Sequence, residues 1–407
     1  MEQRDNNAAT AYMKPMQPIT NTADLAAACR RLAAAEYVTV DTEFMRETTY
    51  WPKLCLIQMA GPNDAILVDA MAADLDLSPF FDLMADERVL KVFHSGRQDI
   101  EIVFHRGSLI PHPVFDTQVA AMVCGFGDSI SYDQLVARLT GAQIDKSSRF
   151  TDWARRPLTD RQLAYALADV THLRDVYQAI ARKLEARGRA DWVETEMETL
   201  TSPETYRMEP ERAWTRLKMR ARKPVELAAL KALAAWRERE AQSRDLPRSR
   251  VIKDDSLYEI ASQIPTTPAE LAALRTIGRG FERSKAGEQI LTEMKAVAAI
   301  PRDQLPKLPR VARRGERNSA AIDLLKVLLK MVSENEGVAS KVIATVDDLE
   351  AIADDDNADV PALTGWRRAL FGENALRLKR GELALRVDDG RVRVVPAGEV
   401  RNAEAAE

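Results

Sequence analysis

The sequence predicts an α/β domain, a mixed sheet flanked by helices, followed by two small all-helical modules. Three observations predict it. Five β-rich runs lie between Glu36 and about Val123, with helical stretches among the later ones. Beyond residue 211 the apolar residues follow helical rather than strand spacing. Two proline-bearing stretches, TSPETYRMEPE and IPRDQLPKLPRVARRGER, interrupt that helical pattern.

The strand runs are YVTVDTEF, KLCLIQMAG, AILVDA, VLKVFHSG and PVFDT. Short links between the first three fit an antiparallel meander, and helices between the later ones fit parallel βαβ units. DIEIVFHRG and QVAAMVCG read as helices, and Tyr132 to about Leu200 is mostly helical. The α/β domain is therefore placed at 17–205, the first module at 211–295 and the second at 318–390. Residues 1–16 are read as a disordered extension and 391–407 as a tail, although RVRVVP within it has the pattern of a strand. RSRVIKDDSLYEIA in the first module corresponds to ASKVIATVDDLEAIA in the second with one residue inserted. Two copies are too few for a solenoid, so a duplicated small domain is the simpler reading.

Composition bounds the function. Of 407 residues, 46% are hydrophobic and 29% charged, enough apolar material for two to four cores at about 100–200 residues each. No run approaches the ~20 apolar residues of a membrane span. The N-terminus lacks the apolar stretch of a secretory signal. Cys29, Cys55 and Cys124 have no metal-ligand spacing and suit a reducing cytoplasm. A net charge of −4 argues against coating nucleic acid by bulk charge, but not against local basic patches.

The chemistry centres on carboxylates. Asp41 and Glu43 are two apart on a strand and so project to one face, where a divalent cation would relieve their repulsion. Alone, the pair also fits a solvated strand end. Asp99 opens a helix and by itself reads as an N-cap; Glu101 and Asp116 are further acids nearby. Tyr165 and Asp169 stand at i and i+4 on a helix, which sets a phenol beside a carboxylate, though a half-buried tyrosine with a solvated aspartate fits equally. Together the four carboxylates form an oxygen-rich site for hard cations, with no histidine or cysteine set competing for zinc. Two Mg²⁺ or Mn²⁺ ions about 4 Å apart would clamp a scissile phosphate there.

The order D-x-E, D, Y-x-x-x-D resembles the DEDDy branch of the DEDD exonucleases, whose fold is ribonuclease H-like. The stretches VDTEF, LCLIQMA, VFHSGRQDIEIVF, FDTQVAAM and DKSSRFTDWARRPLTDRQLAYALADVTHL resemble ribonuclease D over roughly residues 17–200. The DEDDh branch would carry histidine at position 164, which is alanine. The resemblance implies that Asp41, Glu43, Asp99 and Asp169 ligate two divalent metal ions. It also implies that Tyr165 orients the attacking water, since a phenol with a pKa near 10 is a poor base at neutral pH. Around this site Phe44, Gln58, His94, Lys146, Arg149, Trp153 and Arg156 are candidates to hold substrate. Each also has a structural reading: core for Phe44 and Trp153, a sheet amide for Gln58, a structural histidine, and solvated cations for the rest.

Residues 211–295 resemble the HRDC domain of ribonuclease D and RecQ-type helicases, through Leu230, Leu233, Trp236, Arg237, Leu246-Pro247, Val251-Ile252, Leu257 and Ile260. The second module matches less well, through Gly365-Trp366-Arg367-Arg368. Arg212, Arg216, Lys218, Arg220, Arg222 and Lys223, then Arg310, Arg313, Arg314 and Arg317, form basic clusters suited to phosphate. The resemblance implies a 3′–5′ exoribonuclease acting on 3′ ends of tRNA precursors and small structured RNAs, and a monomer is expected. Exonuclease action on DNA and a non-catalytic binding module are the alternatives. The absence of a G-x-x-x-x-G-K-[ST] loop excludes a P-loop motor.

Overall fold

The computed structural model describes residues 17–218, 221–308 and 319–398. The chain divides into two bodies. One takes in Met1–Glu43, Leu54–Thr205 and Arg314–Glu407; the other takes in Phe44–Lys53 and Tyr206–Arg313. Among the described residues no helix is long and apolar enough to cross a membrane.

In the first body α1 (Thr22–Leu32) precedes β1 (Tyr37–Met45), β2 (Lys53–Ala60) and β3 (Ala65–Val68). Then come α2 (Ser78–Ala85), β4 (Leu90–Phe93), α3 (Arg97–Gly107), β5 (Val114–Asp116) and α4 (Thr117–Val123). Helices α5 (Tyr132–Thr140), α6 (Asp160–Ala186) and α7 (Ala190–Leu200) complete the α/β part. The sheet order is β3-β2-β1-β4-β5. β2 and β3 pair antiparallel, with Gln58 opposite Leu67, while β1–β4 and β4–β5 are parallel. The sheet is thus mixed, as the linker lengths predict. From Leu54 to Ala60 every residue of β2 is buried, as in a strand covered on both faces. β1 is buried from Tyr37 to Val40 and opens from Asp41 onward, so its C-terminal half is where side chains meet a site.

The second body is built on α8 (Pro224–Ser243), α9 (Arg248–Val251), α10 (Asp254–Gln263), α11 (Pro268–Ala272) and α12 (Lys285–Ala298). Leu230, Leu233, Trp236, Leu257, Ile260, Leu271, Ile290 and Met294 make its core. The segment Phe44–Lys53, read from sequence as part of the α/β domain, belongs to this body. Buried Glu238 accepts a hydrogen bond from the Tyr50 hydroxyl at 2.5 Å and bonds from Arg248 Nε and Nη2 at 2.6 and 2.5 Å. Asp245 accepts from the backbone N–H groups of Tyr50 and Trp51 at 3.0 and 2.9 Å. A carboxylate as buried as Glu238 requires such partners, and that requirement holds the segment.

The second module repeats the helix order of the first: α13 (Ser319–Glu336), α14 (Ser340–Ile343) and α15 (Val346–Asp354). It continues through α16 (Gly365–Arg367), a π-helical turn at Arg368–Gly372 and α17 (Glu373–Lys379). Leu325, Leu328, Ile352, Phe371 and Leu376 fill its core. Read from sequence as a separate domain, it lies in the same body as the sheet. The Ala339 N–H donates to the Met122 carbonyl at 2.8 Å, and Arg189 Nη1 donates to the Glu336 carbonyl at 3.0 Å. A Cβ on Gly125, whose φ is +85°, would stand 2.8 Å from the Gly337 carbonyl oxygen, so the two backbone segments approach more closely than a side chain there would allow.

The module also extends past residue 390. RVRVVP is β7 (Arg391–Pro396), paired antiparallel with β6 (Leu383–Asp388), so the tail placed at 391–407 begins too early. The cause is the turn between them: Asp389 and Gly390 both have positive φ, 49° and 74°, the geometry a two-residue Asp-Gly hairpin needs. The extension at 1–16, the end of the tail, and Arg220, Arg310, Arg313, Arg314 and Arg317 lie outside the described residues.

A candidate active site of buried carboxylates

Strand alternation sets Asp41 and Glu43 on one face of β1, and helical periodicity sets Tyr165 above Asp169 on α6. A Thr159–Gln162 capping box fixes the start of α6. Carboxylate oxygens of Asp41, Glu43 and Asp169 lie within 4.8 Å of one another, and no other such grouping of His, Cys, Asp or Glu occurs among the described residues. Asp99 is the third residue of α3 rather than its N-cap, which is Gly96, so the capping role open from sequence falls away. It is buried and accepts a hydrogen bond from Thr42 Oγ1 at 2.5 Å. The residue between the two β1 acids therefore orients the fourth.

Burial shifts all four acids upward, and repulsion within the cluster adds to this for Asp41 and Glu43. Asp41 is raised well above the carboxylate range by burial, then by Asp99, Asp169 and Glu43. Glu43 is pushed up to about 9 by burial, then by Asp169 and Asp99, with Arg149 opposing. Burial takes Asp169 to about 7 and Asp99 to about 6, the latter against the Thr42 hydrogen bond. Such a cluster must take up protons or a cation, and hard oxygen donors with this excess of negative charge fit a divalent ion.

The Tyr165 hydroxyl donates to Asp169, and burial together with Asp169, Glu43 and Asp41 pushes its pKa upward. A phenol so shifted keeps its proton at neutral pH and can offer it in a hydrogen bond. Tyr132, which the sequence reading passed over, donates to the Asp169 main-chain carbonyl at 2.6 Å and so props α6 at the site. His94 packs on Tyr132 with centroids 5.2 Å apart, its Nδ1 lies 3.0 Å from Thr117 Oγ1, and burial lowers its pKa. It belongs to this support. Asp116 is also structural: it accepts from the N–H groups of Ser95, Gly96, Gln118 and Val119.

The substrate candidates divide. Arg149 is exposed, and its charge reaches both Glu43 and Asp169. Gln58 is fully buried on β2 with neither amide atom bonded, so the satisfied sheet amide considered from sequence is absent. Phe44 is half-buried and follows Glu43 on the alternate side of β1. Lys146 is engaged by Asp133 at 2.6 Å. The substrate roles considered for Trp153 and Arg156 give way to structural ones. Trp153 is 2% exposed and lies 6.1 Å from the Tyr165 ring, a core anchor behind that residue. All five N–H donors of Arg156 are used: Nε and Nη2 on Asp69 at 2.8 and 2.6 Å, Nη2 also on the Cys55 carbonyl, and Nη1 on the carbonyls of Trp153 and Arg155.

Residues 16–185 match a family model described as 3′-5′ exonuclease, and residues 226–293 match the HRDC domain. A ribonuclease D of Nitrobacter hamburgensis is 60% identical over 377 residues, 93% of this chain and 98% of that one. A ribonuclease D of Bartonella henselae is 46% identical over 96% of this chain and 97% of its own. The crystal structure of Escherichia coli RNase D, described as an exoribonuclease involved in structured RNA processing, superposes with a TM-score of 0.79 at 29% identity, covering 90% of this chain and 99% of that one. With near-complete coverage on both sides and identity far above what shared fold alone requires, the chain belongs to the ribonuclease D family of 3′–5′ exoribonucleases.

Proposed function

We propose that the chain removes nucleotides one at a time from the 3′ ends of tRNA precursors and other small structured RNAs, releasing 5′-mononucleotides. The observation that carries this reading is the meeting of carboxylate oxygens of Asp41, Glu43 and Asp169 within 4.8 Å of one another, with Asp169 buried and the other two partly so. Asp41, Glu43, Asp99 and Asp169 would hold two divalent cations, Mg²⁺ or Mn²⁺. Such ions supply charge neutralisation at the scissile phosphodiester and lower the pKa of the attacking water. The chain's own residues provide the geometry. Thr42 fixes Asp99, Tyr132 fixes the turn of α6 that carries Asp169, and the Tyr165 hydroxyl orients the water. Arg149 meets the substrate phosphate and Phe44 the terminal nucleotide, while Gln58, fully buried, stands out of a nucleotide's reach. The Escherichia coli enzyme's involvement in structured RNA processing supports this substrate class.

The acting species is taken to be a cytoplasmic monomer; the buried thiols of Cys29, Cys55 and Cys124 suit a reducing compartment. The first helical module, 211–295, would steady the strand through Arg212, Arg216, Lys218, Arg222 and Lys223. The test is degradation of a 5′-labelled, 3′-tailed tRNA-like RNA and a matched DNA with Mg²⁺, Mn²⁺ or EDTA. A metal-dependent ladder shortening from the RNA 3′ end supports the reading. Faster cleavage of DNA, or no cleavage of either, overturns it.

A further inference from the structure

The loop between α5 and α6 carries Lys146-Ser147-Ser148-Arg149-Phe150-Thr151. Successive turns shape it: the Arg149 N–H donates to the Lys146 carbonyl at 3.1 Å, and the Thr151 N–H to the Ser148 carbonyl at 3.2 Å. Both flanks are fastened. Ser148 is buried, Lys146 is held by Asp133, and the Thr151 hydroxyl accepts from Gln162 in the first turn of α6 at 3.0 Å. At the tip, Phe150 is 91% exposed, the only aromatic among the exposed large apolar side chains of the described residues. Scattered exposed valines and leucines are ordinary. A phenyl ring held out from a fastened loop is different, because the fold gains nothing from it there.

Its neighbourhood supplies a use. The Arg149 guanidinium rests 5.1 Å from the Phe150 ring centroid. The same Arg149 is close enough to Glu43 and Asp169 to act on both. A cation and an aromatic face, side by side at the edge of the carboxylate cluster, match the two chemical faces of a single-stranded nucleotide: phosphate and base.

We propose that Phe150 stacks on a base near the 3′ end of the RNA while Arg149 holds the adjoining phosphate, so that the pair sets the register of the strand over the carboxylates. The proposal rests on the exonuclease reading above. Stacking tolerates any base, so the contact discriminates by structure rather than by sequence. A base in a single-stranded 3′ end can offer its face, whereas one within a duplex is already stacked. The selected substrate class is thus RNA with an unpaired 3′ end.

The test compares the full-length protein with Phe150→Ala, Phe150→Leu and Phe150→Trp, on oligoribonucleotides with a single abasic residue walked through the last few positions. On intact RNA, Phe150→Ala and Phe150→Leu should raise KM roughly 5- to 100-fold, the factor a lost base–aromatic stack implies, with kcat unchanged. Phe150→Trp should behave as the parent. At one position the abasic residue should raise the parent's KM by a similar factor and have no further effect in Phe150→Ala. Mg²⁺ affinity measured by calorimetry should be the same throughout, which a collapsed loop would not allow. Equal KM for the parent and Phe150→Ala, or an abasic penalty of equal size in both, overturns the stacking. Failure of the parent to cut RNA with Mg²⁺ or Mn²⁺ overturns the exonuclease reading and this proposal with it.

Discussion

The indole of Trp366 lies 3° from parallel to that of Trp192, with ring centroids 4.3 Å apart. Each ring also has a guanidinium near its face, Arg189 at 4.8 Å from Trp192 and Arg367 at 4.6 Å from Trp366. Arg367 pairs with Glu196, and Arg189 with Glu336 at 3.1 Å. The Gly365-Trp366-Arg367-Arg368 stretch that resembles a nucleic-acid module is therefore used largely to hold α13–α17 against α7. Trp366→Ala should destabilise this body by about 2–3 kcal/mol, combining lost packing with the lost stack. Thermal unfolding checks this, with RNA affinity expected to change little.

Asp169→Asn should reduce turnover by ~10³-fold or more, the scale on which a single preorganised electrostatic group is lost. The same change removes a repelling charge from a crowded cluster. In EDTA the variant should therefore melt at a higher temperature than the parent, a gain in stability set against lost activity. Paired assays of rate and melting check both halves.

The site also predicts a pH signature. Glu43, Asp169 and Asp99 have native pKa values raised to about 9, 7 and 6. The native, metal-free protein then binds more protons here than the unfolded chain, and stability must fall as pH rises. That contribution is full below the unfolded carboxylate range, about pH 4, and is lost progressively from there to about pH 9. Melting in EDTA should drop across that window, and saturating Mg²⁺ should restore it. Calorimetry in buffers of different ionisation enthalpy should show protons released on Mg²⁺ binding at pH 7.

Tyr165→Phe should leave Mg²⁺ affinity intact and lower kcat. Because the phenol's pKa is pushed upward, its titration does not shape the rate near neutrality. The acidic limb of the pH–rate profile should survive in the variant. Loss of that limb would make the phenol a base rather than an orienting group.

Arg156→Lys tests the division between substrate and scaffold. An ammonium cannot replace a guanidinium that uses five donors. Destabilisation of roughly 2–3 kcal/mol is expected, below the range for a fully buried pair because Arg156 keeps some exposure. KM for RNA should be unchanged in whatever fraction remains folded.

What was legible in the sequence is what short-range geometry decides. Asp41 with Glu43, and Tyr165 with Asp169, share a face because of strand and helix periods alone. Residue geometry alone lists Asp99 only among nearby acids, because its environment depends on Thr42 across the fold, and the family resemblance singles it out. Arg156 looked like a phosphate ligand because its partner Asp69 stands 87 positions away. The segment after β1 looked like part of the sheet domain because the carboxylate that captures Tyr50 is 188 positions distant. The Asp389-Gly390 hairpin was readable from turn chemistry, and its short strands concealed it.

The body that holds the carboxylates is not continuous in the chain, since Tyr206–Arg313 separates its α/β part from α13–α17. On the ribosome that intervening stretch takes roughly five to twenty seconds to make at ~5–20 residues per second. During that interval the four acids and Tyr165 already exist, while Trp192, Glu196 and the Met122 carbonyl still wait for partners that have not been synthesised. Closure of that flank therefore cannot precede the synthesis of α13–α17, however early the carboxylates themselves have been made.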